Sequence, residues 1–77
     1  MIEAYVLIQT KIGKLQGVAS EASRTTGVAT AAVVAGPYDV VARVAADDVD
    51  SLGKLVVSRI QAIDGVTRTL TCPILHL

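Results

Sequence analysis

Residues 28–46 read VATAAVVAGPYDVVARVAA, a pattern that predicts two β-strands joined by a tight turn. The turn would be formed by Gly36-Pro37-Tyr38-Asp39, which combines residue types that favour turns. Both faces of both predicted strands are largely apolar, whereas a sheet face in contact with water alternates with polar residues. We therefore expect helices of the same chain on one face of the sheet and another molecule on the other.

The flanking sequence predicts a ferredoxin-like α+β fold, with residues 1–77 forming one domain. The predicted elements are strand 2–10, helix 14–26, strands 28–36 and 39–46, helix 49–63 and strand 66–77. Because strand–helix–strand crossovers are right-handed, this βαββαβ order places both helices on one face of an antiparallel four-stranded sheet. The first and third strands are then central, and Pro73 is compatible with an edge position for the last strand.

Hydrophobic periodicity defines an apolar stripe on each helix and separates the two faces of the middle strands. Helical stripes are formed by Leu15, Val18, Ala19 and Ala22, and by Val49, Leu52, Val56, Ile60 and Ile63. Lys54 and Arg59 face away from the second stripe. In the strands, Val40, Ala42 and Val44 oppose Val41, Arg43 and Ala45, while Ala29, Ala31, Val33 and Ala35 oppose Thr30, Ala32 and Val34. One set in each strand meets the helices, and the other set is still mostly apolar.

The second, open face of the sheet predicts self-association. Small domains usually need disulfides, a metal or oligomerisation, and the single Cys72 and single His76 provide neither an intrachain disulfide nor a zinc site. We expect an obligate homodimer that pairs two sheets. Arg43, the charged residue on this face of the central strand, is expected to be peripheral or to form a salt bridge across the interface.

Composition excludes several classes of function. The formal net charge is zero, and the sequence has no basic patch of the kind that binds nucleic acid. It has neither a signal peptide nor the roughly 18 apolar residues in a row that cross a membrane. The acidic residues 47, 48 and 50 suit a helix N-terminus and lack the pattern of a calcium loop. We therefore predict a cytoplasmic protein that binds no metal or cofactor.

No set of residues predicts catalysis. Cys72 and His76 lie four residues apart on the predicted last strand and would point to the same side. A nucleophile–base pair also needs a third, orienting group, and the sequence offers none. We predict that the protein is not an enzyme, with a packed cysteine and a frayed terminal histidine.

The turn and the last strand provide candidate binding residues. Exposed amides in the turn and the Asp39 carboxylate suit a zwitterion, although a well-formed hairpin with an Asx bond at Asp39 explains the same residues. Thr67, Thr69 and Thr71 alternate along the last strand. They either line a cleft with hydroxyl groups or reflect the β-propensity of threonine.

Together these motifs resemble the effector-binding domain, also called RAM, of the Lrp/AsnC family of transcription regulators. The residues that carry the resemblance are Gly36-Pro37-Tyr38-Asp39-Val40, Ile63-Asp64-Gly65-Val66 and Arg68-Thr69-Leu70-Thr71. They match the family patterns G-x-Y-D-hydrophobic and hydrophobic-x-G-V-x-R-T-x-T. The resemblance covers essentially the whole chain, including the βαββαβ order.

The resemblance implies a dimer of facing sheets that assembles into rings of four or five dimers, an octamer or a decamer. It implies that an amino acid is bound between dimers by Gly36, Tyr38, Asp39, Thr69 and Thr71. Because Met1 leads directly into the first strand, the chain is similar to the stand-alone domains of the family, without the helix-turn-helix. Direct DNA contact is then not expected, and full-length Lrp/AsnC regulators are possible partners.

Two other functions are compatible with the fold. A small dimeric α+β-barrel enzyme, monooxygenase-like or isomerase-like, needs an enclosed pocket, and the sequence has only Tyr5 and Tyr38 as aromatic residues to line one. A purely structural oligomerisation module would need the apolar strands but no binding residues in the turn.

Overall fold

The computed structural model describes all residues from 1 to 77 and has the predicted ferredoxin-like α+β fold. Its elements are β1 (Ile2–Thr10), α1 (Leu15–Arg24), β2 (Val28–Val33), β3 (Val40–Ala46), α2 (Val49–Lys54), a π-helical segment (Leu55–Ile60) and β4 (Val66–Pro73). The sheet order is β2-β3-β1-β4, and all neighbouring strands are antiparallel. The first and third strands are central, as predicted, and β4 is an edge strand.

The strand ends differ from the prediction. β2 ends at Val33 and β4 at Pro73, rather than at residues 36 and 77. Within the chain between β2 and β3, one backbone hydrogen bond runs from Val34 N to Asp39 O at 2.9 Å, and Pro37 has no amide hydrogen to extend the ladder. Beyond Pro73, which has no amide hydrogen to donate, one further backbone bond to β1 runs from Ile74 N to Glu3 O.

The core lies between the helices and one face of the sheet. The fully buried strand residues are Ala4, Val6, Ile8, Val40, Ala42 and Val44, and the buried helical residues are Val18, Ala22, Leu52, Val56 and Ile60. Both predicted helical stripes are therefore confirmed in their central positions. The assignment of Val49 to the core is wrong, because this first residue of α2 is 68% exposed. Ile63 is half-buried and packs against the core.

A bulge in β2 changes which of its residues reach the core. Val28 pairs with Val44, and the register then shifts so that Thr30 pairs with Arg43. Ala29 has no partner in the ladder, so its predicted place in the alternation is wrong. Because of the extra residue, Val28 and Ala31 both pack against the core. Thr30 lies on the row of Arg43, on the open face.

The second helix begins with a side-chain cap. Asp48 Oδ1 accepts a hydrogen bond from Ser51 N at 2.8 Å, which satisfies one of the free amides of the first turn. This bond lowers the pKa of Asp48 below its ordinary value. The predicted capping role of this acidic segment is confirmed for Asp48.

The π-helical segment was not predicted. Its hydrogen-bond pattern reaches Gln61, whose amide donates to Val56 O at 2.8 Å, five residues earlier. Val56 and Ile60 are both buried within it. The wider turn leaves Gln61 facing β4, where Gln61 Nε2 donates to Thr69 Oγ1 at 2.9 Å. π-Helical turns of this kind are often found at functional sites.

We expect Gly65→Ala to destabilise the fold strongly. Gly65 has φ +99°, and an added Cβ would lie 2.5 Å from Lys14 Cβ and 3.1 Å from Val18 Cγ2. Left-handed backbone at alanine costs about 1–2 kcal/mol, and overpacking about 1–3 kcal/mol. Urea denaturation should therefore show a loss of roughly 2–4 kcal/mol in the free energy of unfolding.

Gly17→Ala is the matched control for Gly65→Ala. Gly17 lies on the exposed side of α1, and an added Cβ there meets no atom within 4 Å. This substitution should stabilise the helix by about 0.5–1 kcal/mol. Equal effects of the two substitutions on the free energy of unfolding would contradict the close packing of Gly65, which directly precedes β4, against α1.

Candidate functional site

Asp39 connects the turn after β2 to the end of β1. Its amide donates to Ile8 O at 2.9 Å. Its carboxylate Oδ2 accepts from Thr10 N at 2.8 Å and lies 3.3 Å from Thr10 Oγ1. The carboxylate therefore bonds across the sheet, instead of forming the predicted Asx bond within the turn. Its second oxygen, Oδ1, has no hydrogen-bond partner.

The rest of the turn leaves backbone donors unused. Gln9 Nε2 donates to Pro37 O at 3.0 Å and fixes the turn against β1. The amides of Gly36 and Tyr38 make no hydrogen bond within the chain. Gly36 is exposed, and a Cβ at this position would meet no atom within 4 Å. These amides are thus accessible to a ligand or to another subunit.

The threonines of β4 lie on the helix-covered side of the sheet. Thr69 pairs with Ile8 and Thr71 pairs with Val6, and both partners are core residues. The register shifts between Val66 and Arg68, so Thr67 has no partner in β1. The predicted alternation therefore holds for Thr69 and Thr71, but the bulge excludes Thr67 from it.

The sheet register brings the turn and Thr69 to the same end of the molecule. Ile8 pairs with Val40 on one side and with Thr69 on the other. With adjacent strands about 4.8 Å apart, residues on β3 and β4 in one row are separated by roughly 10 Å. Thr71 lies two residues further from this end, opposite Val6. Within one chain, Asp39 and Thr69 therefore lie at the same end of the sheet, on strands separated by β1, and Thr71 is more distant.

A cavity of about 410 Å³ adjoins Thr69 and includes two residues that sequence reasoning missed. It is lined by Gln61, Val66, Thr67, Arg68 and Thr69, and not by the turn. Arg68 forms no ion pair. Arg68 could have been identified as a site residue from the sequence, because it belongs to the motif Arg68-Thr69-Leu70-Thr71. Gln61 could not, because only the π-helical turn places it here. Turn and cavity are separate parts of the surface in a single chain.

The open face of the sheet is largely apolar but has one polar network at its centre. Arg43 donates to Glu3 Oε2 at 3.0 Å and to the Tyr5 hydroxyl at 3.5 Å, and its guanidinium lies 5.8 Å from the Tyr5 ring centre. The hydrogen bond to Glu3 raises the pKa of Arg43. Leu7 pairs with Val41 and with Leu70 beside this network. The salt bridge of Arg43 lies within one chain.

Cys72 and His76 do not form a site. Cys72 lies opposite Tyr5 on the open face, while His76 follows the end of β4, so the prediction that both lie on one strand is wrong. Both residues are exposed. The chain contains no cluster of three His, Cys, Asp or Glu side chains arranged to hold a metal ion. None of its helices has the length and apolar character required to cross a bilayer.

Comparison with known proteins gives a consistent result. Residues 3–76 match the family described as Lrp/AsnC ligand binding domain. The crystal structure of TTHA0845 from Thermus thermophilus is similar with a TM-score of 0.93 and 35% identity, covering 100% of this chain and 96% of that one. No curated protein matches the sequence.

Two larger regulators share the fold. The structure of AsnC from E. coli has a TM-score of 0.91 and 21% identity, over 99% of this chain and 52% of that one. A transcriptional regulator from Neisseria meningitidis, solved as a complex with L-Met, has a TM-score of 0.87 and 13% identity, over 97% of this chain and 50% of that one. The chain thus spans about half the length of these two proteins.

Proposed function

The chain belongs to the family of Lrp/AsnC ligand-binding domains, and from this premise we propose that it binds a free amino acid as a regulatory effector and performs no catalysis. The observation that carries the proposal is the grouping of unused hydrogen-bonding atoms at one end of the sheet. These atoms are Asp39 Oδ1 and the amides of Gly36 and Tyr38, and Thr69, whose hydroxyl accepts from Gln61 Nε2, lies at the same end of the sheet.

The chemistry of these groups matches an amino acid. Asp39 Oδ1 accepts from the ammonium group, while Oδ2 stays bound to Thr10 N. The amides of Gly36 and Tyr38 donate to the carboxylate. The Neisseria regulator found with L-Met has the same fold, which supports an amino acid as the ligand class.

We infer that the site is completed by assembly. In one chain Gly36 and Pro37 of the turn are exposed, Tyr38 and Asp39 are half-buried, and the cavity beside Thr69 lies apart from the turn. Homodimers paired through the open sheet face, and rings of four or five such dimers, bring the turn of one dimer against Thr69 and Thr71 of another. The effector then controls the assembly, and mixed assembly with regulators carrying the same kind of domain transmits this control to transcription.

The proposal predicts a specific effect of Asp39→Asn. Calorimetry against each of the twenty common amino acids at millimolar concentration should identify at least one that binds the unchanged protein. The carbonyl of the introduced amide can still accept from Thr10 N, so the turn is preserved while the charge is lost. A hydrogen bond to a charged group contributes about 1.5–3 kcal/mol, so we expect an affinity loss of roughly 10- to 150-fold.

Asp47→Asn is the matched control, because Asp47 is exposed and makes no side-chain hydrogen bond or ion pair. It removes the same charge and should leave the affinity unchanged. Absence of heat with every amino acid would contradict the proposal. Such a result would support a purely structural oligomerisation module, which the apolar sheet face also favours. Equal affinity of the Asp39→Asn protein and the unchanged protein would place the bound amino acid away from Asp39 and contradict the proposed site.

A further inference from the structure

A second polar site lies between α1 and the π-helical segment, independent of the proposed amino-acid site. Two adjoining cavities share Ser58 and Arg59 and form one groove, which we call the helix groove. The smaller, of about 230 Å³, is lined by Thr26, Ser51, Lys54, Leu55, Ser58 and Arg59. The larger, of about 420 Å³, extends from Ser58 and Arg59 toward Glu21 and Asp64. None of the turn residues or β4 threonines lines it.

The helix groove has an excess of available positive charge. Lys54 and Arg59 form no ion pair. The two carboxylates at the far end are already engaged, because Glu21 binds Arg24 at 2.6 Å and Asp64 binds Lys14 at 3.0 Å. The smaller cavity is therefore lined by two uncompensated cations and no anion.

The π-helical segment explains why both cations line one cavity. At 100° per residue, an α-helix would place residues five apart about 140° away from each other around the axis. In a π-helical turn the hydrogen bonds connect residues five apart, which brings such residues onto the same side. Lys54 directly precedes the π-helical segment and Arg59, five residues later, lies within it, so the unusual helix geometry groups their charges.

Hydroxyl groups complete the smaller cavity. The hydroxyls of Thr26, Ser51 and Ser58 make no hydrogen bond within the chain, whereas Thr25 Oγ1 donates to Glu21 O at 2.9 Å. Half-buried Leu55 forms the apolar floor and packs against Gly27, where an added Cβ would lie 3.0 Å from Leu55 Cδ2. Three free hydroxyls and two cations thus line the smaller cavity around Leu55.

We propose that the helix groove binds a small phosphate monoester, with the phosphate in the smaller cavity and the organic group in the larger one. Lys and Arg side chains are the usual partners of phosphate oxygens, and hydroxyl donors add to them. A carboxylate presents only two oxygens, whereas a phosphate monoester presents three terminal oxygens to the five donor groups. The inference does not depend on the amino-acid site, which lies on other elements.

The test is a titration of the ¹⁵N-labelled chain with inorganic phosphate at constant ionic strength, followed by ¹H–¹⁵N NMR. We expect saturable shifts centred on the amides of Thr26, Ser58 and Arg59. Lys54→Gln and Arg59→Gln should each weaken the binding at least fivefold, and the double substitution should abolish saturation. Lys11→Gln is the matched control, since Lys11 is an exposed cation without an ion pair outside the groove, and it should bind as the unchanged protein does.

Three outcomes would overturn the proposal. The first is a response that rises linearly without saturation. The second is equal binding by the Lys11→Gln and Arg59→Gln proteins, which would indicate general charge attraction. The third is saturable binding with shifts centred on Arg68 and Thr69, which would move the anion site to the cavity beside β4. None of these outcomes affects the calorimetric test of amino-acid binding.

Discussion

Leu7→Asp is expected to abolish self-association through the open face of the sheet. Leu7 lies at the centre of the open face, paired with Val41 and Leu70. In a dimer of facing sheets, each copy would lose the burial of a leucine, about 1.5–3 kcal/mol. Each copy would also bring an unpaired carboxylate into an apolar interface, at several kcal/mol per ion. The dimer should therefore weaken by at least about 1,000-fold.

Sedimentation velocity between low micromolar and millimolar concentration measures this change, and circular dichroism checks that the chain stays folded. Val49→Glu is the matched control, because Val49 is 68% exposed at the start of α2 and far from the sheet face. It should associate as the unchanged protein does. A stable, folded monomer of the unchanged protein at low micromolar concentration would refute assembly through this face.

Arg43→Met is expected to weaken the dimer nearly as much, for a different reason. In a single chain the Arg43 and Glu3 side chains are 42% and 31% exposed, and such a pair contributes at most about 1 kcal/mol. A second sheet would remove the water around them. Removal of one partner then leaves Glu3 charged and unpaired, which costs about 3–5 kcal/mol. The association constant should fall roughly 100- to 5,000-fold.

The double substitution Glu3→Met with Arg43→Met provides the control, because it removes both charges and keeps apolar volume. A buried ion pair replaced by apolar side chains is often neutral or stabilising, so most of the association should return. If Arg43→Met alone associates like the unchanged protein, the ion pair stays in water and lies outside the interface. Concentration-dependent sedimentation of all three proteins decides between these results.

The order of the elements and the faces of the strands could be predicted from sequence because they depend on local periodicity. Val40, Ala42 and Val44 alternate with the residues of the open face, and the structure buries all three. The bulges at Ala29 and Thr67 were missed because a bulge is defined by the register against the neighbouring strand. The residue types of the bulged strand do not reveal it. The π-helical segment was missed for a similar reason, since Val56 and Ile60 also fit an α-helical stripe.

Only those residues of the candidate site that belong to a sequence motif could be predicted. The turn residues and the pair Thr69 and Thr71 follow from the family pattern, and their binding role stays a prediction. The bond from Thr10 to Asp39 was not predictable, since it joins residues 29 positions apart. It leaves only one carboxylate oxygen of Asp39 free for a ligand.

The sequence by itself determined the βαββαβ order, the two alternating faces of β3 and the family, because short-range periodicity and a turn motif encode them. Only the tertiary structure decided which distant groups meet. Strand register places Thr69 at the same end of the sheet as Asp39, and the π-helical turn directs Gln61 to Thr69 and groups Lys54 with Arg59. Such contacts depend on register, bulges and helix pitch, where a shift of one residue changes every neighbour.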